Sequence, residues 1–292
     1  MLKNTAKHLI FLDIDGTLLD PEYRINCSEL KLRLKSLQSQ GNFVFCLNSN
    51  RSLQDLFPIA KQFDISGPLV CENGLFAYLP RSKKKILLTN KKNIEKMIKV
   101  KKNFKFWILE TAQILKKSVY YKKTDTVKLI NKVKKNNFPG DSILVFDNKY
   151  RKYTVSAHIK RLVSGALTKD LLSLRKLEII VRKKIKQLGL SKIIEVGTSE
   201  VFGNLLIYSK LINKRTGVKY LISKYYRNYK VIAIGDESSD ANMVEGLGEF
   251  WMVGNGTKDA KKSASKIAKY KYTKGVNELL KKYDRKNKNN RR

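Results

Sequence analysis

The feature that most constrains this chain is an alternation of short apolar runs with amphipathic stretches, in which two of the apolar runs end abruptly in carboxylates. The first run, residues 9–12, stops at Asp13 within FLDIDGTLLD (residues 11–20). Residues 28–41 follow with Leu30, Leu34 and Leu37 at helical spacing, a Ser28 able to cap the start and a Gly41 able to end it. FVFCL (43–47) is compact and apolar, as a strand buried on both faces would be. A helical stretch from Leu53 to Phe63 then leads to a third run, PLVCE. Strand, helix, strand, helix, strand predicts a Rossmann-like, doubly wound parallel sheet covered by helices, an α/β core.

The pattern changes near residue 79. RSKKKILL, KKNIEKMIKVKKNFKFWIL and TDTVKLINKVKKNNFPGDSILVFD are dense in lysine and mix short strands with amphipathic helices. They predict an inserted α+β domain over residues 79–205, with the core formed by 1–78 and 206–292. NLLIYSKLI is expected to resume the core. A helix over 216–226, the strand KVIAIG, a helix from Asp240, the strand FWMVG and a helix across DAKKSASKIA would complete it. The tail KKYDRKNKNNRR is expected to be a frayed, solvated end.

Composition narrows the function classes. The 292 residues are 42% hydrophobic, enough for a globular core. No run reaches the ~18 apolar residues of a membrane helix, and the first apolar run is too short for a signal-peptide core, so the expected location is cytoplasmic. Cys27, Cys46 and Cys71 form no CxxC pair, which argues against a zinc or redox motif; Cys46 and Cys71 sit in apolar runs as small core residues. No GxSxG elbow is present. The net charge of +36 admits nucleic-acid binding. However, the lysines are spread along the whole chain among many Asn and Ile, as compositional bias would leave them, and no recognition motif accompanies the aromatic–basic segments NFKFWIL, YYRNYK and KYKYTK. Either way, a positive field would draw in an anionic ester.

The chemistry lies in the two acidic run-ends. Asp13 and Asp15, two apart, point to one side of an extended chain. Paired carboxylates repel unless a cation lies between them, and Mg2+ takes such oxygen ligands. Gly16 lets the backbone turn and come close to an anion, where exposed N–H groups cradle phosphate. The second run-end is IGDESSDANM (234–243). It places Asp236 just past a strand, able to share a sheet edge with Asp13; Asp240 either joins this cluster or caps the next helix.

Together these segments resemble the haloacid dehalogenase superfamily, whose first motif is DxDGT and whose fourth is GDxxxD. The resemblance covers roughly residues 8–78 and 206–280. In FVFCLNSNRS it implies that Ser49, followed by Asn50 and Arg51, binds phosphate, although a helix-cap role accounts for Ser49 equally well. In KRTGVKYL (214–221) it implies a phosphate-binding Lys214, against the alternative of one more surface lysine. CENG (71–74), VGNGTKDAKKSAS and KGVNELL resemble the Cof-like and sugar-phosphate phosphatase branch, with the mannosyl-3-phosphoglycerate phosphatases as the nearest group. The chain departs from the usual pattern at Glu237, Ser239 and Arg215, where an extra acid would alter the metal's surroundings and an extra base would crowd the site or add an anion contact.

The resemblance implies a Mg2+-dependent phosphatase acting on a small anionic phosphorylated metabolite. Asp13 is then nucleophile and metal ligand. Asp15 is general acid and base, with its backbone carbonyl on the metal. Asp236 completes the coordination, Asp240 anchors metal-bound water or orients Lys214, and Gly16, Ser49, Asn50 and Lys214 surround the phosphate. The inserted domain would act as a cap, in which Arg151, Lys152, His158 and Lys160 are candidates to meet a second anionic group. A sugar phosphomutase on the same scaffold is the alternative among enzymes, and a non-catalytic nucleic-acid-binding protein the alternative outside them. Nucleic acid is not the expected partner, because clustered carboxylates repel its phosphates.

Overall fold

The computed structural model describes residues 6–25, 27–125 and 141–288. Two compact units result: Met1–Leu88 with Ile212–Arg292, and Thr89–Leu211.

The first unit is built on one sheet of eight strands. β1 (His8–Leu12), β2 (Phe43–Asn48) and β3 (Leu69–Cys71) run in one direction across the sheet, and β12 (Lys230–Gly235), β13 (Glu249–Met252) and β14 (Lys266–Ile267) run in the other, giving the order β14-β13-β12-β1-β2-β3 with all six parallel. The order reverses between β1 and β12, so their carboxyl ends flank the crevice where ligands bind in doubly wound sheets. Leu9 to Leu12 and Ala233 to Ile234 are essentially inaccessible, as strands covered on both faces require.

α1 (Glu29–Ser39) buries Leu30, Leu34 and Leu37, the stripe that its spacing predicts. Gly41 follows at φ +77°, whereas Ser28 occupies the N-cap position without making a side-chain cap bond. α2 (Leu53–Gln62) is capped by Ser52, which accepts from the Asp55 amide. Cys46 and Cys71 are buried core residues. α5 (Lys214–Tyr225), α6 (Ser238–Val244), α7 (Lys258–Ser263) and α8 (Tyr272–Lys288) complete this unit.

The second unit carries a sheet in the order β10-β11-β8-β7-β6, with β9 paired to β8. Its strands are β6 (Ser118–Thr124), β7 (Ser142–Asn148), β8 (Val155–Val163), β9 (Ala166–Lys169), β10 (Ile194–Ser199) and β11 (Asn204–Ser209), and helices α3 (Lys91–Leu115) and α4 (Leu171–Gln187) pack on it. In α3 the residues Met97, Val100, Phe104, Trp107, Ile108 and Ala112 turn inward. Two aromatics of NFKFWIL therefore belong to this unit's core.

The structure corrects several expectations. RSKKKILL does not leave the first sheet: β4 (Phe76–Leu79) and β5 (Lys84–Leu87) form an antiparallel hairpin on its edge, and the exposed lysines are those of an edge strand. NLLIYSKLI belongs to the second sheet, where β11 pairs with β10 and β8. Its alternating burial is that of an antiparallel strand with one open face. The helix expected across DAKKSASKIA stops at Ser263, and SKIA supplies β14. The start of KKYDRKNKNNRR is docked and not frayed: in α8 Tyr283 is buried, and Asp284 pairs with Arg33 of α1 at 2.7 Å. Residues 126–140, within the segment TDTVKLINKVKKNNFPG, and residues 289–292 lie outside the described residues.

Candidate active site

Asp13 follows β1 directly and Asp236 follows β12, so neighbouring parallel strands deliver both carboxylates to one edge of the sheet. Asp240 lies one turn into α6. The three offer oxygens that all fall within 4.8 Å of one another. Asp13 is 4% exposed and Asp240 1%. Glycines make this approach possible. A Cβ on Gly235 would stand 2.3 Å from Cβ of Asp240, and one on Gly16 2.3 Å from Oδ2 of Asp236. Gly16 also has φ +87°, a conformation that side-chain-bearing residues rarely adopt. Gly16→Ala is therefore expected to cost about 1–3 kcal/mol of stability and, by displacing Asp236, to weaken metal affinity about 10–100-fold. Urea unfolding and a Mg2+ titration of activity read the two effects separately.

Lys214 opens α5 and is 9% exposed. Its Nζ donates to Asp13 Oδ1 at 2.6 Å and to Asp240 Oδ1 at 2.7 Å. This is not a surface lysine. An ammonium has three donors, and two of them hold the carboxylates. Several contacts fix the start of this helix. Asn213 caps it with a reciprocal Thr216 bond, Asn48 Nδ2 donates to the Lys214 carbonyl at 3.0 Å, and Gly217 is pressed so closely on Val70 that a Cβ would lie 2.5 Å from Cγ1. CENG has the same purpose: Glu72, Asn73 and Gly74 all have positive φ, and Gly74 turns against the Asn213 carbonyl, 2.0 Å from where a Cβ would be.

Asp240 is fully engaged. Oδ1 faces Lys214, while Oδ2 accepts from the amides of Asp236 and Glu237 at 3.1 Å each. It therefore ties the start of α6 and orients Lys214 at once. Asp236 accepts from Thr17 Oγ1 at 2.9 Å, and Asn255 donates to the Gly16 carbonyl at 2.7 Å. Neither Thr17 nor Asn255 was a site candidate by sequence, although each lies within a quoted motif, DxDGT and VGNGT.

The partner of Asp15 is the main surprise. Its carboxylate is gripped by Arg51, with Nε at 2.9 Å from Oδ2 and the terminal amine at 2.6 Å from Oδ1, and the Tyr23 ring lies 5.3 Å from the guanidinium. Asp13 and Asp15 thus have separate cations, Lys214 and Arg51, and the carboxylate of Asp15 is not among the three that converge. The Gly16 amide does not point at an anion either: it donates to Leu19 O at 2.9 Å, so this N–H is not available to a phosphate cradle. Ser49 is 1% exposed, and its Oγ accepts from the Arg51 amide at 3.2 Å. Ser52 is the cap of α2, which leaves Ser49 without that role. Asn50, half-buried, stands between Ser49 and Arg51. Arg215 neither crowds the site nor faces an anion there, because it bonds Glu245 through side chain and carbonyl. Glu237 and Ser239 are exposed.

In the second unit, Arg151 is buried and donates to Thr154 Oγ1, while His158 Nδ1 lies 3.2 Å from the Phe202 carbonyl. Lys160 shares a β8 face with His158, and burial together with Lys169 lowers its pKa. Lys152 is exposed over the Tyr153 ring. An acid absent from the sequence-based set, Asp147, is buried among these residues and bonded by Tyr121 at 2.8 Å.

Charge balance tests whether a divalent cation fits. Three carboxylates face one lysine. Burial and then Asp240 push the Asp13 carboxyl well above its ordinary 3.8, against the pull of Lys214. Burial and Asp240 push Asp236 up to about 7, against the Thr17 hydrogen bond. Burial alone would lower Lys214, but Asp13 and Asp240 outweigh it and keep the ammonium protonated far into the alkaline range. The cluster is short of positive charge, its donors are all hard oxygens, and their spread is close to the ~4 Å between opposite oxygens of a Mg2+ site. The residues fit that ion, with Asp13 and Asp236 as the carboxylates best able to hold it.

A pH dependence follows. A carboxyl whose folded pKa is raised keeps a proton that the unfolded chain gives up, so folding stability falls as pH rises from about 4 through about 7. Metal-free protein is expected to melt at lower temperature at about pH 8 than at about pH 5, and Mg2+ should restore more stability at the higher pH. Asp236→Asn should flatten that slope in a differential scanning experiment; an unchanged slope would contradict it.

The fold has known counterparts. A haloacid dehalogenase-like hydrolase from Bacteroides thetaiotaomicron is similar with a TM-score of 0.65 at 20% identity, over 95% of this chain and 99% of that one. One from B. subtilis gives 0.58 at 17% identity, over 94% and 98%. A third structure, described in a study of divergence among phosphatases of the haloalkanoate enzyme superfamily and also from B. thetaiotaomicron, gives 0.59 at 17%, over 97% of each. At these identities the likeness is one of fold. No curated protein sequence is significantly similar. Among the described residues no helix is long and apolar enough to cross a membrane. The haloacid dehalogenase-like hydrolase family matches residues 10–280, and with its acidic motifs meeting at the switch point of a parallel sheet, the chain belongs to that family.

Proposed function

We propose that the protein is a Mg2+-dependent phosphatase that hydrolyses a small phosphorylated metabolite, a sugar phosphate or phosphorylated sugar acid, through a phosphoryl group carried on Asp13. The observation that supports this best is the buried set of Asp13, Asp236 and Asp240 around a single Lys214.

Bound between Asp13 and Asp236, the cation would neutralise charge on the phosphoryl oxygens. Asp13 attacks phosphorus, forming the Oδ–P bond as the ester P–O bond breaks. Asp15, which takes up a proton from solvent as the substrate enters, gives that proton to the departing alcohol oxygen, then takes one from the water that attacks phosphorus, and the Oδ–P bond breaks to release inorganic phosphate. Lys214 directs its remaining N–H at the transferred group, and Ser49 binds a second oxygen, so positive and dipolar groups are in place before charge develops. Asp240 acts through Lys214 as a positioning residue. Arg51 holds Asp15, whose side chain is 34% exposed and so open to a leaving group and water. The unit spanning Thr89–Leu211 would serve as the cap that selects the alcohol portion.

The test is phosphate release from hexose phosphates, phosphorylated sugar acids including mannosyl-3-phosphoglycerate, and nucleotides, with Mg2+ or with chelator. Metal-dependent release concentrated on the sugar compounds supports the proposal. Isomerised product without free phosphate would move the reading to a phosphomutase, and no turnover of any compound would sink it.

A further inference from the structure

In the ladder between β8 and β9 of the second unit, Lys160 stands directly opposite Lys169. Like charges in that position destabilise a sheet. Lys160 is half-buried, and burial first and then Lys169 lower its pKa. Among the described residues neither ammonium has a carboxylate or a hydrogen-bond acceptor, although each carries three donors.

The surroundings hold the pair in place. The stem of Lys169 lies against Gly203, where a Cβ would stand 2.9 Å from the lysine Cγ and 3.0 Å from its Cβ, and Gly203 has φ +62°. The next residue, Asn204, opens β11 opposite His158 of β8, whose ring is anchored by Nδ1 on the Phe202 carbonyl at 3.2 Å. Residues directly opposite share a face, as do residues two apart on one strand, so Asn204, His158, Lys160 and Lys169 lie on one side of the sheet. It is not the side that α3 and α4 cover. The intervening Ala157, Ile159 and Leu205 are inaccessible, whereas β11 alternates so that Asn204, Leu206 and Tyr208 are its less buried residues.

Asn204 adds a second unmet demand. Its Oδ1 is buried and accepts no hydrogen bond among the described residues, a state that a buried acceptor seldom keeps unless something else supplies the donor. The group therefore needs an anion with oxygens for two ammoniums and, beside it, a hydroxyl for the amide. A neutral sugar supplies only the hydroxyl.

We infer that this face binds a second anionic group of the substrate, carboxylate or phosphate, through Lys160 and Lys169, while a neighbouring hydroxyl donates to Asn204. The inference rests on the reading of the protein as a phosphatase with Thr89–Leu211 as its cap, and it narrows the substrate class to phosphorylated sugar acids and sugar bisphosphates.

The experiment compares kcat/KM for phosphate release by the full chain, with Mg2+, from 6-phosphogluconate, fructose 1,6-bisphosphate and glucose 6-phosphate. At least one of the first two should exceed glucose 6-phosphate about tenfold or more, and the better of them shows whether carboxylate or phosphate is the second group. Lys160→Gln with Lys169→Gln should reduce that preference about tenfold, mainly through KM, the loss of charge-assisted contacts made to the bound substrate. This variant should melt no lower than the native protein, since a repelling pair is removed; a fall would assign the lysines to the fold instead. Asn204→Asp, which sets a carboxylate beside the lysines, should reduce the preference in the same direction. Lys183→Gln with Lys186→Gln, which removes the same charge from exposed positions on α4, should leave it unchanged. A preference for glucose 6-phosphate, an equal fall in both lysine pairs, or a loss shared alike by all three compounds would overturn the inference. If the native protein releases phosphate from none of them, the phosphatase reading fails on its own. Calorimetric titration with 6-phosphogluconate then decides: saturable binding weakened by the Lys160 and Lys169 pair alone supports the site, and its absence overturns it.

Discussion

Replacing Asp13 with asparagine is expected to abolish metal-dependent phosphate release, by at least about 10^4-fold in kcat, the scale on which removal of a covalent nucleophile acts. The amide is nearly isosteric but neither attacks phosphorus nor carries the charge that a cation needs. Structure should survive, and stability should rise: Asp13 is buried against Asp240 and Asp236, and its ionised form is disfavoured there. Steady-state kinetics and urea unfolding of the same preparation separate these effects. A variant that is both inactive and unfolded would identify Asp13 as structural, whereas one that retains native activity would place the nucleophile elsewhere.

Lys214→Met has the opposite signature. It keeps side-chain length but removes the only cation within hydrogen-bonding distance of Asp13 and Asp240 among the described residues. Breaking a buried ion pair on one side costs about 3–5 kcal/mol, because the remaining charges are stranded. That cost should be greatest in metal-free protein at alkaline pH. It should shrink in acid, where the raised carboxyls take up protons, and shrink again with Mg2+, which replaces part of the lost charge. Activity should stay low even when Mg2+ restores the fold, since no ammonium is left to meet the phosphoryl oxygens. Denaturation at two pH values, with and without Mg2+, reads the whole pattern. A uniform loss across all four conditions would mean that Lys214 acts through packing alone.

How much of this was legible in the sequence differs between fold and site. β1, β2, α1 and β12 are read directly, because their apolar residues follow one period and no long-range partner is needed to explain them. β11 and β14 misled: a short apolar segment fits either sheet, and only pairing with β10 and β8, or with β13, decides. The charged tail misled for another reason, since Tyr283 and Asp284 gain their partners, Phe43 and Arg33, from more than two hundred residues away. In the site, Asp13, Asp236, Asp240 and Lys214 stand in motifs, and the structure brings them together. The supporting contacts were hidden. Nothing local tells Arg51 from the chain's many other bases, yet it sets the orientation of Asp15; Thr17 reaches Asp236 across 219 positions. The expectation that Asp13 and Asp15 would share one cation failed because each has a basic side chain of its own.

The central claim, that phosphoryl transfer proceeds through Asp13, is tested most directly by single-turnover reaction with substrate carrying a radioactive phosphoryl group, quenched in acid within the first turnover and followed by peptide mapping. The account predicts transient, Mg2+-dependent label on the peptide containing Asp13, absent from Asp13→Asn and increased when Asp15→Asn slows hydrolysis of the intermediate. Product formed at the native rate with no label on the protein, or label on a peptide lacking Asp13, would contradict it.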